Sequence, residues 1–309
     1  MRYRTIHDAH RHYAWDNAIA PVATAVPGET LTLTVRDAWD GVITRDSGAD
    51  ILSTDMSGRV NPVTGPVYVD GTKAGDTLVV KLESYRPSGW GWTANIPGFG
   101  LLTDDFRAPA LRHWTYDSDG VTPLMFGEIA QIPLAPFAGT IGVAPAAAGP
   151  HDIIPPRRTG GNMDIRDLVA GSVLYLPVEA DGALLSIGDT HAAQGDGEVC
   201  GTAIESPMEV TVTLDVAKDS AAAFPRLVRP GARPRPAGPA DVTTGIGPDL
   251  YRAAQDAVRG MIDLLAARHG LAAVDAYMLC SVAGDLAISQ IVDAPNWTVS
   301  FHMPRGIFA

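Results

Sequence analysis

The sequence predicts a mainly β fold, a barrel or sandwich, followed by a C-terminal portion that mixes helix and strand. Three observations carry this prediction. Short runs that alternate apolar and polar residues, typical of half-buried strands, recur through the first two thirds of the chain. Glycine (32 residues) and proline (24 residues) are plentiful, which favours short strands joined by tight turns over a helical bundle. Helical periodicity is confined to the region after residue 248.

The clearest strand patterns have defined limits. Three of them follow a turn that contains glycine, because glycine tolerates the backbone angles of tight turns. The predicted strands are residues 31–35, 78–82, 173–176 and 208–216. The aromatic, glycine-rich segment 88–100 is interpreted as a loop that either shapes the mouth of a site or caps one end of the β structure.

A segment rich in proline, arginine and glycine, residues 226–239, is predicted to be a linker or an extended strap. It divides the chain into a β-rich domain, residues 1–225, which carries most of the site, and an α+β portion, residues 226–309. The strands of the second portion need a sheet to join, so we expect it to pack against the first.

Within the α+β portion, Pro248 and Asp249 are expected to open a helix that ends at Gly270. Its apolar face is predicted from residues at helical spacing. These are Leu250, Ala254, Val258, Met261, Leu264 and Leu265. A second short helix is expected at residues 272–283, followed by strands at residues 286–292 and 297–303.

Composition excludes several classes of function. The net charge of −12 repels phosphate backbones, so nucleic acid is not an expected partner. No stretch approaches the ~20 apolar residues of a membrane span, and the first residues do not form a signal peptide. We therefore expect a cytoplasmic protein. Cys200 and Cys280 are interpreted as two buried thiols rather than a disulfide or a cysteine-ligated zinc site.

One short segment concentrates residues that can bind a metal. Asp189 and His191 are two positions apart, so on an extended strand their side chains point the same way and form half of a divalent site. Gly195 and Gly197 allow the following backbone to fold back. The segment contains Asp189, Thr190, His191, Gln194, Asp196 and Glu198. Spacing alone leaves two other interpretations open, a solvated acidic loop and a structural Ca²⁺ site.

Two further clusters are candidates. In the first, His151 precedes Gly160 and Gly161, whose N–H groups could bind an oxyanion, with Asn162 and Asp164 orienting a ligand. The alternative for this cluster is a tight turn before the strand at residue 173. The second contains Asn61 and Thr64 within the rigid turn at residues 61–66, and taken alone this cluster is best explained by turn chemistry.

Taken together, these segments resemble the acetamidase/formamidase family. The matching stretches occur in the family's order along most of the chain. They are Trp15-Asp16-Asn17, the run from Asn61 to Gly71, the run from Pro136 to Pro145, Gly160-Gly161-Asn162-Met163-Asp164, the run from Gly188 to Glu198, and two C-terminal stretches at residues 257–259 and 277–281. The string Asp189-Thr190-His191-Ala192-Ala193-Gln194-Gly195-Asp196-Gly197-Glu198 is the most specific of them.

The resemblance implies a β-rich fold and hydrolysis of a short amide to carboxylate and ammonia, with a divalent metal, zinc or calcium, as cofactor. The expected metal ligands are Asp189, His191, Gln194 and Asp196. Glu198 is expected to transfer protons, Asn162 to hold the oxyanion and Asp164 to assist, while Asn61, Thr64 and His151 are expected to bind substrate.

The expected partner is a small-molecule amide, and we expect a homo-oligomer, a dimer or larger. Some formamidase-like relatives carry His where this chain has Asn61, which ranks formamide below acetamide. Two other functions stay open: the same scaffold acting on a lactam, an imide or an ester, and a non-catalytic β-rich module with a structural cation.

Overall fold

The computed structural model describes residues 4–118, 124–126, 130–220, 222–230, 238–273, 276, 279, 280 and 283–308. Strands dominate this part of the chain. In chain order they are β1 (Arg4–Ile6), β2 (Arg11–His12), β3 (Ala14–Trp15), β4 (Ala23–Ala25), β5 (Thr30–Val35), β6 (Val63–Val69), β7 (Thr77–Pro87), β8 (Trp90–Asn95), β9 (Ala110–Thr115), β10 (Leu124–Phe126), β11 (Ala130–Ile132), β12 (Phe137–Gly142), β13 (His151–Asp152), β14 (Gly160–Asn162), β15 (Val173–Pro177), β16 (Leu185–His191), β17 (Met208–Ala217), β18 (Arg226–Arg229), β19 (Ala240–Gly247), β20 (Asp285–Gln290) and β21 (Trp297–Pro304). One long helix, α1 (Leu250–His269), and two short 3₁₀ helices, Ala49–Ser53 and Arg305–Ile307, complete the described elements.

Nine strands form one large sheet in the order β1-β5-β17-β7-β15-β18-β19-β21-β20. All of its pairs are antiparallel except β1 with β5. The four strands predicted from alternating sequence, β5, β7, β15 and β17, lie next to one another in this sheet, which confirms those predictions. Their alternation therefore reflects a shared core-facing side.

A second sheet follows the order β14-β12-β16-β6-β2, with β4 paired to β6. It carries the end of β16, where the metal-binding segment begins. The hairpin β8–β9 joins it through Glu205, whose backbone bridges both Trp92 and His191.

The main hydrophobic core lies between these two sheets. Leu33, Val80 and Val212 from the nine-stranded sheet belong to the same buried cluster as Val67 and Ile187 from the second sheet. Two sheets that share one core form a sandwich-like arrangement, so the predicted mainly β fold class is confirmed.

Helix α1 packs on strands β19 and β21, next to the edge strand β20 of the large sheet. Asp249 caps the helix rather than entering it, because its side chain accepts a hydrogen bond from the Arg252 amide at 2.8 Å, and Gly270 closes it at φ 68°. The buried stripe is Ala253, Ala257, Met261 and Leu265. Met261 and Leu265 were predicted, whereas Ala253 and Ala257 each lie one position before a predicted residue. Small alanines allow the helix backbone to approach Gly245 of β19.

Two sequence interpretations need correction. Residues 226–229, predicted as the start of a linker, are strand β18, because Leu227 is buried and the strand pairs with β15 and β19. The aromatic segment predicted to be a loop contains strand β8, whose Trp90 and Trp92 are buried against β9.

The large sheet runs across the proposed domain boundary at residue 225, and that boundary stays a prediction. Residues 231–237 of the linker lie outside the described residues. So do residues 274, 275, 277, 278, 281 and 282 of the second predicted helix, although Ala276 and Gly284 make helical hydrogen bonds there.

Cys280 is buried and Cys200 half-buried, and both are free thiols. No helix within the described ranges is long and apolar enough to cross a membrane.

Candidate metal and catalytic site

Strand β16 delivers Asp189 and His191 to the site. The predicted proximity of these two side chains is present, since Nε2 of His191 lies 3.3 Å from Oδ1 of Asp189. The backbone is not plainly extended, however, because Asp189 has a positive φ of 50°. The two side chains meet through a local backbone twist rather than through regular strand alternation.

The two ring nitrogens of His191 face different partners. Nδ1 lies 2.8 Å from Oε1 of Gln194, a carbonyl-type oxygen that only accepts hydrogen bonds. Nδ1 therefore carries the proton in the neutral ring, and the lone pair belongs to Nε2. That lone pair faces two carboxylates, Asp189 Oδ1 and Glu205 Oε2, each at 3.3 Å. Phe137 packs edge-on against the ring at 5.0 Å and fixes its plane.

Glu205 is held by its own short backbone segment. Its Oε1 accepts a hydrogen bond from the Ala203 amide at 2.8 Å, while its Oε2 accepts no hydrogen bond of normal geometry from the described residues. Its side chain is 2% exposed. A buried carboxylate oxygen without such a donor is costly, so the site has room for a cation or a proton there.

A second group of possible ligands lies on the other side of the imidazole. Asp164, His191 and Glu198 are all buried, and each offers one ligand atom within 4.8 Å of the others, as do Asp189, His191 and Glu205 in the first group. Among the described residues, no N–H or hydroxyl group donates to either carboxylate oxygen of Asp164. Its Oδ1 lies 4.0 Å from Nδ1 of His191.

A chain of amides and hydroxyls supports the acids. Asn61 donates to Asn162 Oδ1 and to Asp189 Oδ2, both at 3.3 Å. Thr140 also donates to Asn162 Oδ1 and, at 3.3 Å, to Asp189 Oδ2. Asn162 in turn donates to Asp293 Oδ2 at 2.9 Å. This network orients Asp189 and links it to Asp293, which follows β20.

Strained backbone is concentrated at this site. Non-glycine residues with positive φ are uncommon and cost free energy, so they persist where the surroundings impose them. Four of those in the described structure belong to the site: Asn61 (46°), Asp164 (48°), Asp189 (50°) and Glu198 (47°). The fold therefore holds these four side chains in place against local backbone preference.

Electrostatics show that the cluster carries more carboxyl groups than it can keep ionised. Burial and the neighbouring carboxylates of Asp293 and Asp189 raise the pKa of Asp164 well above its usual range. Burial and the adjacent Asp164 do the same to the pKa of Glu198. The carboxyl groups of Asp164 and Asp293 contact each other and can share one proton.

The pKa values of the groups around Nε2 of the imidazole are also shifted. Burial raises the pKa of Glu205 to about 7, with Asp189 adding to the effect and His191 opposing it. Burial alone would lower the pKa of His191, but the charges of Glu205 and Asp189 outweigh it and raise that pKa well above its usual value. A positive charge at Nε2, from a proton or from a cation, is favourable here.

The site opens into a cavity of about 260 Å³. Its polar floor is formed by Asn61, Asn162, Asp189, Glu198, Glu205 and Asp293. The remaining lining is largely apolar and aromatic, including Trp39, Trp92 and Phe99. A cavity of this kind, with polar groups converging at one end, is the usual form of a small-molecule site.

Not all of the predicted site residues reach this cavity. Thr64 is buried elsewhere and donates to the carbonyl of Thr34 at 2.7 Å. His151, in β13, pairs with Trp15 of β3, and its ring nitrogen Nε2 lies 3.0 Å from the Ala147 carbonyl oxygen. Neither lines the cavity, so their predicted role in substrate binding finds no support in the geometry.

The positions of Gln194 and Asp196 also differ from those expected of metal ligands. Gln194 orients His191 and donates to the Asp164 carbonyl at 3.0 Å, whereas Asp196 is exposed and belongs to neither ligand group. The amide of Gly160, predicted as an oxyanion donor, bonds the Arg157 carbonyl at 3.0 Å instead.

Three important residues were missed by the sequence interpretation. Glu205 and Asp293 stand alone in sequence, without neighbouring ligand-type motifs, and only the tertiary fold brings them to His191. Thr140 lies within a stretch that resembles the family, but a threonine in a buried strand gives no signal of its own.

Comparisons with known proteins agree with this site. The family model described as "Acetamidase/Formamidase family" matches residues 2–153 and 146–309. A formamidase of Methylophilus methylotrophus is 27% identical over 97% of this chain and 90% of its own length. An acetamidase of Mycolicibacterium smegmatis is 28% identical over 67% of this chain, which spans 66% of that protein's length.

A solved structure extends the likeness to the whole fold. The crystal structure of an acetamidase from Bacillus halodurans superposes with a TM-score of 0.88, at 32% identity over 98% of each chain. The names of these relatives agree with the amidohydrolase predicted from the sequence, and the resemblance stated there is confirmed. The chain belongs to the acetamidase/formamidase family.

Proposed function

We propose that the chain hydrolyses the C–N bond of a small primary carboxamide to a carboxylate and ammonia, with a divalent metal ion held at His191. The observation that carries the proposal is the meeting of Asp189 and Glu205, which line the cavity, at Nε2 of His191. The names of the curated relatives, acetamidase and formamidase, support the choice of an amide.

The donor set fits a metal ion. The Nε2 lone pair and two carboxylate oxygens converge, and their mutual repulsion needs a positive charge between them. Gln194 binds the other ring nitrogen, an arrangement that commonly fixes the ring of a metal-ligating histidine. We therefore assign Asp189, His191 and Glu205 as ligands. An imidazole among carboxylates favours zinc over calcium, which prefers oxygen ligands alone. A bound divalent ion would supply Lewis acidity toward the amide carbonyl or a water.

The second group is suited to proton transfer. Burial and the adjacent Asp164 raise the pKa of Glu198 well above its usual range, which makes its carboxylate a stronger base toward a water proton. Glu198 takes a proton from the attacking water and returns it to the amide nitrogen, which leaves as ammonia. Asp164 and Asp293, whose carboxyl groups contact each other and have raised pKa values, would take up part of the charge change on Glu198 during this transfer.

The amide-bearing residues position these groups. Asn61 and Thr140 fix Asp189 through hydrogen bonds at 3.3 Å, and Asn162 fixes Asp293 at 2.9 Å. Asn162 lines the cavity, and its amide group has a second N–H that would donate to the developing oxyanion, the role predicted for it from the sequence. Asn61 is neutral and cannot act as a base, so we rank formamide below amides with a carbon substituent.

The test is ammonia release from a panel of primary amides by the purified, metal-loaded protein. Glu198→Gln keeps the shape of the side chain but removes its basicity, and should lower kcat by ~100-fold or more with little change in KM. Asp196→Asn, the same chemical change at an exposed acid of the same segment, should leave kcat unchanged.

Three results would contradict the proposal. An unchanged kcat in Glu198→Gln would place proton transfer elsewhere. If the protein hydrolyses a lactam, an imide or an ester but no primary amide, that compound class is its substrate instead. If it binds metal but hydrolyses none of these compounds, the metal is a structural cation. A homo-oligomer and a cytoplasmic location stay predictions, and light scattering on the purified protein tests the first.

A further inference from the structure

Apart from its polar groups, the cavity is lined largely by apolar side chains. Trp39, Trp92 and Phe99 line it together with Ile96 and Ile154. Trp39 and Trp92 pack edge to face, with ring centroids 6.2 Å apart at an interplanar angle of 75°. A two-carbon amide bound at the polar floor would leave these aromatic surfaces without a partner.

The aromatic wall is rigid. Trp92 is fully buried and Trp39 is 6% exposed, both within one hydrophobic cluster. The next residue, Asp40, is bound by Arg11, Arg36 and Arg59, which ties the Trp39 segment to the rest of the fold. A preformed apolar pocket of this kind loses little conformational entropy when a ligand enters it.

Phe99 lines the same cavity. A Cβ atom at Gly201 would lie 2.5 Å from Cδ1 of Phe99, so glycine at that position is what allows the ring to rest on the loop that carries Glu198. Phe99 is half-buried, whereas Phe106 in the same loop is 60% exposed and does not line the cavity. The two phenylalanines are therefore a matched pair for mutation.

The volume of the cavity limits the size of the acyl group that it can hold. A dry apolar cavity of about 150 Å³ is enough to bind benzene. The cavity here measures about 260 Å³, which leaves room for a six-membered ring and a carboxamide in sequence.

The charges around the cavity disfavour an anionic acyl group. Among the described residues that line it there is no lysine or arginine, while Asp189, Glu198, Glu205 and Asp293 form its floor. An anionic acyl group would meet repulsion from these acids without a compensating cation from the side chains.

We propose that the preferred substrate is a neutral primary amide whose acyl group carries a phenyl-sized aromatic ring, such as phenylacetamide or benzamide, with the ring between Trp39, Trp92 and Phe99 and the carboxamide at His191. This inference rests on the proposed amide hydrolysis and deepens it. Each extra methylene buried in an apolar pocket raises kcat/KM by roughly 10-fold or more.

The experiment compares acetamide, hexanamide, benzamide and phenylacetamide as substrates of the wild type, Phe99→Ala and Phe106→Ala. For the wild type, kcat/KM for phenylacetamide or benzamide should exceed that for acetamide by at least ~10-fold. Phe99→Ala should lower the aromatic value by ~10-fold, mainly through KM, and should lower the acetamide value by a clearly smaller factor. Phe106→Ala should change neither. Binding of phenylacetamide to His191→Ala, followed by tryptophan fluorescence, measures the pocket without turnover.

The outcomes separate this inference from the proposed function. Turnover of acetamide at least as efficient as that of the aromatic amides overturns the aromatic preference and leaves amide hydrolysis standing. Saturable binding of phenylacetamide that Phe99→Ala weakens, without ammonia from any amide, supports the pocket but overturns hydrolysis. A better value for hexanamide than for both aromatic amides shows a linear aliphatic pocket and overturns the inference. Loss of both binding and turnover overturns both.

Discussion

Nε2 of His191 lies 3.3 Å from Oε2 of Glu205, a residue that reaches the site on a separate segment just before strand β17. The contact joins the predicted segment 188–198 to an acid that no local pattern singles out. Since Oε1 of Glu205 is already bound by the Ala203 amide, its Oε2 is left to face the imidazole. This relationship makes Glu205 the most informative residue for testing the metal assignment.

Glu205→Gln should lower the affinity for zinc by ~100-fold or more, since even outer partners of metal ligands are worth 10–100-fold. The amide retains the size of the side chain but loses the negative charge that Nε2 of His191 faces. A competition titration against a chromophoric zinc chelator measures the effect, with Asp196→Asn as the control. Equal zinc affinity in Glu205→Gln and the wild type would remove Glu205 from the ligand set.

Gln194 was predicted as a metal ligand, and its Oε1 lies 2.8 Å from Nδ1 of His191, so we propose that it positions the imidazole. Gln194→Leu should weaken zinc binding by ~10–100-fold, because the ring loses the acceptor that fixes its orientation. Gln194→Glu keeps an acceptor oxygen at the same reach and should restore much of the affinity. If both variants bind zinc equally weakly, the side chain matters for packing and not as an acceptor.

The local parts of this site were predictable from the sequence and the assembled parts were not. Asp189, His191 and Glu198 share one short segment whose glycines signal a tight fold, so their proximity follows from short-range geometry. Glu205 is brought in by a single backbone bridge to His191, and Asp293 by the docking of a C-terminal strand. Such contacts depend on the packing of whole sheets, which no residue pattern near either position encodes.

The same distinction holds for the fold. Strands β5 and β17 have one buried and one more exposed face, and their alternation predicted them well. Strand β8 is buried on both faces near the cavity, and strand β18 begins and ends with an arginine, of which Arg229 is buried beside Asp167. Neither has a period-two pattern, so composition pointed to loops at both places.

Asp40 provides a pH-dependent prediction away from the metal ligands. Burial alone would raise the pKa of its carboxyl group, but hydrogen bonds from Tyr13, Arg11 and Arg59 outweigh burial and hold the pKa below its usual value. A depressed pKa means that the ionised carboxylate stabilises the fold above the unfolded-state pKa of about 3.9, and that this stability is lost as the pH falls through the lower folded-state value.

Asp40→Asn should therefore reduce the free energy of unfolding at pH 7, and the difference from the wild type should be constant down to about pH 5 and shrink below about pH 4. Urea unfolding across this range measures it. Because Asp40 anchors the Trp39 segment, the variant should also weaken binding of aromatic amides. A stability difference that grows as the pH falls would contradict the ion-pair explanation.

A substitution at Gly139 tests how tightly the residues of the site are packed. It lies in strand β12, and a Cβ atom there would collide with Oδ1 of Asp164 and lie 2.7 Å from Cε1 of His191 and 3.0 Å from the Asp189 carbonyl. Contacts below 3.0 Å force atoms to move, and here the atoms belong to buried residues that have no free space. Gly139→Ala should therefore displace His191 and Asp164, with loss of zinc binding and of activity by ~100-fold or more, since misplacement by about 1 Å is that costly.

The matched control is Gly195→Ala in the metal-binding segment, where an added Cβ atom meets nothing within 4 Å. This variant adds the same methyl group close to the site in sequence, and it should retain both zinc affinity and turnover. Zinc affinity and ammonia release are measured for both variants, and circular dichroism checks that each is folded. If Gly139→Ala is folded and fully active, the imidazole and Asp164 are not held where the structure has them, and the assignment of His191 as the centre of the site fails with it.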